Sequence, residues 1–171
     1  FLGISCVSFY QVVWPTIFSI CACEELSLHF PKTVADCQRA ASGFYEISLR
    51  NALDNVVGVV DGFLLRIHTP PKRIVGNVRS YFSGHYQHYG INVQAATDHL
   101  SRFSYIAVAG PGVMSDCQAI KACKLNDLVE ALPLGYCVIG DAADVPTEHM
   151  VPIYYGSNKH YPHYDNFNYY A

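Results

Sequence analysis

The sequence predicts an α/β domain built around a mixed sheet. Three observations carry that expectation: a β-branched run at residues 56–60, a second apolar run at residues 136–139, and a helix-start signature ahead of each, at Thr33 and at Ser115. The chain's 171 residues suffice for one domain with a real core and are too few for two comfortable ones. A hydrophobic content of 51% against 15% charged residues excludes disorder as a description of the whole.

Residues 1–23 contain no charged side chain, roughly enough to cross a ~30 Å hydrocarbon layer as a helix. Ser5, Ser8, Gln11, Pro15, Thr16 and Ser19 interrupt the run, and no basic residue precedes it as a signal peptide requires. The segment therefore reads as a helix buried against an upstream domain, or as sequence outside the mature protein, in preference to a membrane span. Opening on Phe1, the chain reads as a fragment.

Past Pro31, Thr33 and Asp36 form a Thr-x-x-Asp capping box, and Val34, Cys37, Ala41, Phe44 and Leu49 follow a 3.6-residue period, which predicts a helix to about Leu49. Val56, Val57, Gly58, Val59 and Val60, with Asp61-Gly62 at the end of the run and Phe63, Leu65 and Ile67 alternating beyond, then predict a strand buried on both faces in its first half. Pro70-Pro71, Gly76 and Ser83-Gly84 predict a loop over residues 69–88. Two strands follow, at residues 90–97 and 103–109, with a hairpin turn at residues 98–101 between them. Gly110-Pro111-Gly112 stops the second strand. Ser115 and Gln118 then cap a helix over residues 116–131, which Pro133 and Gly135 end. The strand at residues 136–139 closes on Gly140-Asp141, and a short helix or turn is expected beyond Pro146. Three consecutive strands, a crossover helix and a fourth strand match a ribonuclease H-like mixed sheet with flanking helices, incomplete at its C-terminus.

A net charge of −3 and a pI near 6.2 argue against a protein that holds nucleic acid by bulk electrostatics. Basic contacts to such a substrate must be local or come from a partner. Seven cysteines, an odd number with no Cys-x-x-Cys, read as reduced thiols in an intracellular protein. His85 and His88, then His160 and His163, have no cysteine pair beside them, so they read as exposed loop histidines ahead of zinc ligands.

Asp61 and Asp141 carry the chemistry. Each ends an apolar strand beside a glycine, and a carboxylate there is costly unless a cation meets it. If the two strands are neighbours, both acids reach one point, where hard divalent cations could take oxygen ligands for phosphodiester chemistry. The adjacent glycines would let a backbone or a phosphate come close. Spacing alone leaves open that each aspartate is only a turn residue. Lys72, Arg73 and Arg79 also keep two readings, phosphate contacts or a solvated basic loop. The aromatic tail beyond Ile153 reads first as core cover and second as a base-stacking surface.

Asn55 to Phe63 with Ile67 and Pro70-Pro71, then Tyr89 to Ala95 with Asp98, then Gly110-Pro111-Gly112 with Ser115-Asp116, then Gly140-Asp141-Ala142-Ala143, arrive in one order. Together these four blocks resemble the DDE nuclease domain of Harbinger-type transposases, from about Leu28 onward, which implies a domain over residues 28–171 with the apolar residues 1–27 outside it. The resemblance implies a metal-dependent DNA endonuclease in which Asp61 and Asp141 are the first two metal-binding acids, using Mg²⁺ or Mn²⁺. It further implies water and then a DNA 3′-hydroxyl as nucleophile, a nuclear location and a separate DNA-binding partner protein. Asp98 and Asp116 match recurring family positions and are read as structural, one in a hairpin turn and one in the first turn of a helix. Asp144 stands where the family usually has tyrosine. The family's third acid, a glutamate on a late helix, has no counterpart: Asp165 to Tyr170 resembles the start of that helix, and Glu148 lies in the wrong block. The fragment is accordingly expected to bind metal weakly and to cut poorly or not at all. The alternative is a domesticated, non-catalytic module that binds DNA or protein.

Overall fold

The computed structural model describes residues 3, 5–141 and 146–153. Helix α1 spans Cys6–Ala22, capped by the Ser5 hydroxyl, which accepts from the Ser8 amide at 3.1 Å. None of its residues is buried, and Phe9, Trp14 and Phe18 face outward. Among the described residues no helix is long and apolar enough to cross a membrane.

Helix α2, Val34–Ile47, starts as its capping box predicts. The Thr33 hydroxyl oxygen accepts from the Asp36 amide at 3.2 Å, and the Asp36 carboxylate accepts from the Thr33 amide at 3.3 Å. Hydrogen bonds from the Thr33 hydroxyl and amide hold the Asp36 carboxyl below its ordinary range. Cys37, Ala41 and Phe44 form its buried stripe. The helix stops two residues before the expected Leu49, which lies exposed in a 3₁₀ turn, Leu49–Asn51.

Strands β1 (Val56–Arg66), β2 (Phe82–Ser83), β3 (His88–Thr97), β4 (Phe103–Pro111), β5 (Cys137–Gly140) and β6 (Met150–Pro152) form one mixed sheet. Its order is β2-β3-β1-β5-β6, with β4 also paired to β3. β3 runs antiparallel to β1 and β4, while β5 is parallel to both β1 and β6.

β1 continues past Asp61 through the alternating Phe63 and Leu65 to Arg66, so Asp61 ends the buried half of the strand and not the strand itself, because β3 pairs with it as far as Arg66 opposite Gly90. Three expectations need correction. The predicted loop over residues 69–88 contains the short helix α3 (Lys72–Val75), a 3₁₀ turn (Val78–Tyr81) and β2. The single helix over 116–131 is two, α4 (Asp116–Ala122) and α5 (Lys124–Glu130), separated at Cys123, whose backbone is extended. The segment beyond Pro146, expected as a short helix or turn, bends at residues 148–149 and then forms β6, held by parallel pairing of Val138 with Met150 and Ile139 with Val151.

The core sits where β1 has neighbours on both sides. Val57, Val60, Ala96 and Val138 from the sheet pack with Ile120, Leu125 and Val129 from α4 and α5 and with Cys37 and Ala41 from α2. A second cluster joins Phe44 to Leu53, Val56 and Ile139. Burying a side chain such as Leu125, fully inaccessible here, contributes about 1.5–3 kcal/mol. Past Asp61 the burial of β1 gives way to exposed Phe63 and Leu65.

Candidate active site

The last resolved pair between β1 and β5 is Val59 with Ile139. Asp61 lies two residues beyond that pair on β1, and Asp141 two residues beyond it in the chain, directly after β5. β5 has ended by then, at Gly140, so among the described residues β1 has no partner on that side beyond Val59. A cleft of about 560 Å³ is lined by both Asp61 and Asp141.

Asp61 is exposed, and its Oδ1 accepts from the Gly62 amide at 2.7 Å. Asp141 is half-buried. The opposite wall is the segment between β4 and α4, fixed by backbone bonds: the Gly112 amide donates to the Gly90 carbonyl at 3.0 Å and the Val113 amide to the Ser80 carbonyl at 2.9 Å. A side chain at Gly112 would come within 2.8 Å of the Gly90 and Tyr81 carbonyl oxygens, so only glycine fits this approach.

Asp116 also lines the cleft. It occupies the first turn of α4, as expected, where Ser115 and Gln118 complete a capping box. Its Oδ1 additionally accepts from the Asn92 side-chain amide at 3.3 Å, and the same amide reaches the Met114 carbonyl at 3.5 Å. Asn92 in turn accepts from Gln94 at 2.9 Å. Sequence reasoning missed this second role because Asn92 and Asp116 are 24 residues apart and only the fold joins them. The signal was two amide side chains, Asn92 and Gln94, alternating on one face of an otherwise apolar strand.

Gly62 is explained differently from its sequence reading. The space a side chain would take there is filled by Gln94 Nε2, 2.3 Å from the Cβ position, and Asp116 Oδ1, 2.8 Å from it. The room serves the protein's own amide and carboxylate.

The residues lining the cleft include Asp61, Asp116, Asp141 and Asn92. Oxygen donors of this kind suit a hard divalent cation such as Mg²⁺. Among the described residues no three or more His, Cys, Asp or Glu side chains close into a group able to hold an ion.

Lys72 and Arg73 are exposed on α3 and Arg79 is exposed on the following 3₁₀ turn; none of the three lines the cleft. Asp98 organises the β3–β4 hairpin, as read from the sequence. Its Oδ1 accepts from the Leu100 and Arg102 amides, each at 2.9 Å, and its Oδ2 pairs with the Arg102 guanidinium at 2.7 Å. Burial pushes the Asp98 carboxyl up, but the Arg102 and Leu100 hydrogen bonds outweigh it and hold the group below its ordinary range. Asp144, His160, His163, the aromatic tail beyond Ile153 and residues 165–170 lie outside the described residues.

A family model described as DDE superfamily endonuclease matches residues 60–169, more than half of the chain and a span that includes Asp61, Asp116 and Asp141. No curated protein and no solved structure matches the chain.

Proposed function

This chain belongs to the DDE superfamily endonuclease family, and on that premise we propose that it is a Harbinger-type, metal-dependent DNA nuclease whose Asp61 and Asp141 hold Mg²⁺ or Mn²⁺. The observation that carries the reading is the cleft itself: two acids 80 residues apart in sequence, Asp61 on β1 and Asp141 directly after the adjacent parallel β5, line one opening. Three strands joined in antiparallel fashion, a helical crossover and a further strand parallel to the first support a ribonuclease H-like domain over residues 28–171.

A bound divalent ion would stabilise charge on the attacking and leaving oxygens of the phosphodiester. Asp61 and Asp141 hold that ion from the two strands. Without a cation their charges repel a phosphate, so substrate approach to the cleft depends on metal. The wall at Gly112 and Val113, fixed by backbone bonds, limits the direction from which a DNA strand enters. Lys72, Arg73 and Arg79 lie outside the cleft and serve as backbone contacts to flanking DNA. With a net charge of −3, firm DNA binding requires such local contacts or a separate DNA-binding partner, and the site of action is the nucleus.

Fluorescence anisotropy with a short DNA duplex tests this. Binding should need Mg²⁺ and disappear with chelator. In the Asp61→Asn/Asp141→Asn protein, where the repulsion is gone, residual binding should no longer respond to metal. Tight binding by the unaltered chain that ignores metal would instead favour a non-catalytic DNA-binding module.

A further inference from the structure

Two primary amides lie almost fully buried in the middle of β3: Asn92 is 4% exposed and Gln94 2%. Burying an amide is costly unless it is hydrogen-bonded, and an apolar pair of similar shape would fill a core at no such cost. Here the amides form a directed chain. Gln94 donates to Asn92 at 2.9 Å, and Asn92 donates to the Asp116 carboxylate at 3.3 Å and to the Met114 carbonyl at 3.5 Å. The chain ends on a carboxylate that lines the cleft of Asp61 and Asp141. Gly62, next to Asp61, leaves the space that Gln94 and Asp116 occupy.

We propose that Asp116 is a third working carboxylate of the cleft, that Asn92 and Gln94 are its positioning residues, and that its charge strengthens the hold of Asp61 and Asp141 on a divalent cation. The inference rests on the reading of those two acids as metal ligands. Asp116 does not close with them into a three-ligand group, so it acts on the cation through the cleft, by its charge and through ordered water. The amides fix where that charge sits. Without them the carboxylate at the exposed start of α4 would swing among rotamers, and its field at the ion would be averaged away.

The test is a double-mutant cycle on the whole chain, read by Mn²⁺ titration calorimetry, with thermal midpoints measured alongside. Asp116→Asn should weaken Mn²⁺ binding about tenfold, the usual scale for outer-shell groups. Asn92→Ala should weaken it severalfold in the otherwise unaltered protein and leave it unchanged in the Asp116→Asn background, because the residue it positions is then uncharged. Should Asn92→Ala fail to fold, Gln94→Met, which keeps the volume, takes its place in the same cycle. Equal losses in both backgrounds, or no loss with Asp116→Asn, would overturn the inference and leave the amides as anchors of the β4–α4 segment. Asp61→Asn separates the two levels. If it too leaves Mn²⁺ affinity unchanged, the metal reading itself fails; if it weakens binding while Asp116→Asn does not, only the role of Asp116 is lost.

Discussion

Replacing Gly112 by alanine should destabilise the fold through the wall of the cleft. The added methyl would sit 2.8 Å from the Gly90 carbonyl oxygen, 2.8 Å from the Tyr81 carbonyl oxygen and 2.9 Å from Leu64 Cδ1. Two of these three atoms are backbone, one on β3 and one in the turn before β2, so neither can rotate away as a side chain would. Relief requires the β4–α4 segment to lift, which stretches the 3.0 Å bond from the Gly112 amide to the Gly90 carbonyl. Overpacking of this kind costs about 1–3 kcal/mol and a lost backbone hydrogen bond about 0.5–1.5 kcal/mol. Together they give about 2–4 kcal/mol, or roughly 4–16 °C in thermal midpoint for a chain of this size. Urea unfolding followed by far-ultraviolet circular dichroism measures it, with a lowered midpoint and an unchanged slope expected. Gly84→Ala is the control, since nothing lies within 4 Å of its added carbon, and its effect should stay within about 0.5 kcal/mol. A Gly112→Ala protein as stable as that control would refute the close approach that shapes the cleft.

Leu125→Ala removes a fully buried side chain from the main core and should cost about 2–5 kcal/mol in urea unfolding; a loss below 1 kcal/mol would mean that α5 does not pack on the sheet as described. Asp98→Asn should cost about 1 kcal/mol at neutral pH through its weakened hold on Leu100 and Arg102. Because the Asp98 carboxyl is held below its ordinary range in the folded chain, that difference is complete above the unfolded carboxylate value near pH 4. It should fade as pH falls through the lower folded value; a gap that persists undiminished in strong acid would contradict the assignment. Deleting residues 1–23 should leave the thermal midpoint of the remainder within about 1 °C, since α1 has no buried residue. A clear fall would show that α1 supports the sheet.

Local chemistry was legible in the sequence, and long-range pairing was legible only in part. The capping boxes at Thr33 and Ser115 and the Asp98 turn depend on side chains within four residues of one another, and each forms as its pattern dictates. The 3.6-residue stripe of α2 and the β-branched run of β1 were equally clear, since burial sets their period. The far half of β1 was legible in the alternation of Phe63 and Leu65, and the pairing of Phe63 to Arg66 with β3 carries the strand past Asp61-Gly62, which has the composition of a turn. β6 was invisible: three residues ending in proline carry no period, and their place is set by β5 alongside. The break at Cys123 has no glycine or proline to announce it, and α5 starts there without any side-chain cap. Asp116 was placed on the right element and given half its surroundings, because its contact with Asn92 belongs to the tertiary fold.

The most direct test of the account is Mn²⁺ titration calorimetry on the unaltered chain, on Asp61→Asn and on Asp141→Asn. Two aspartates lining one cleft should bind the ion weakly but measurably, and each substitution should lower the affinity at least tenfold, because one ligand cannot hold the ion alone. The double variant should then be no worse than the weaker single, since both substitutions disable the same site. Affinity that survives both substitutions unchanged would contradict the assignment of Asp61 and Asp141 as the metal-binding acids of this nuclease.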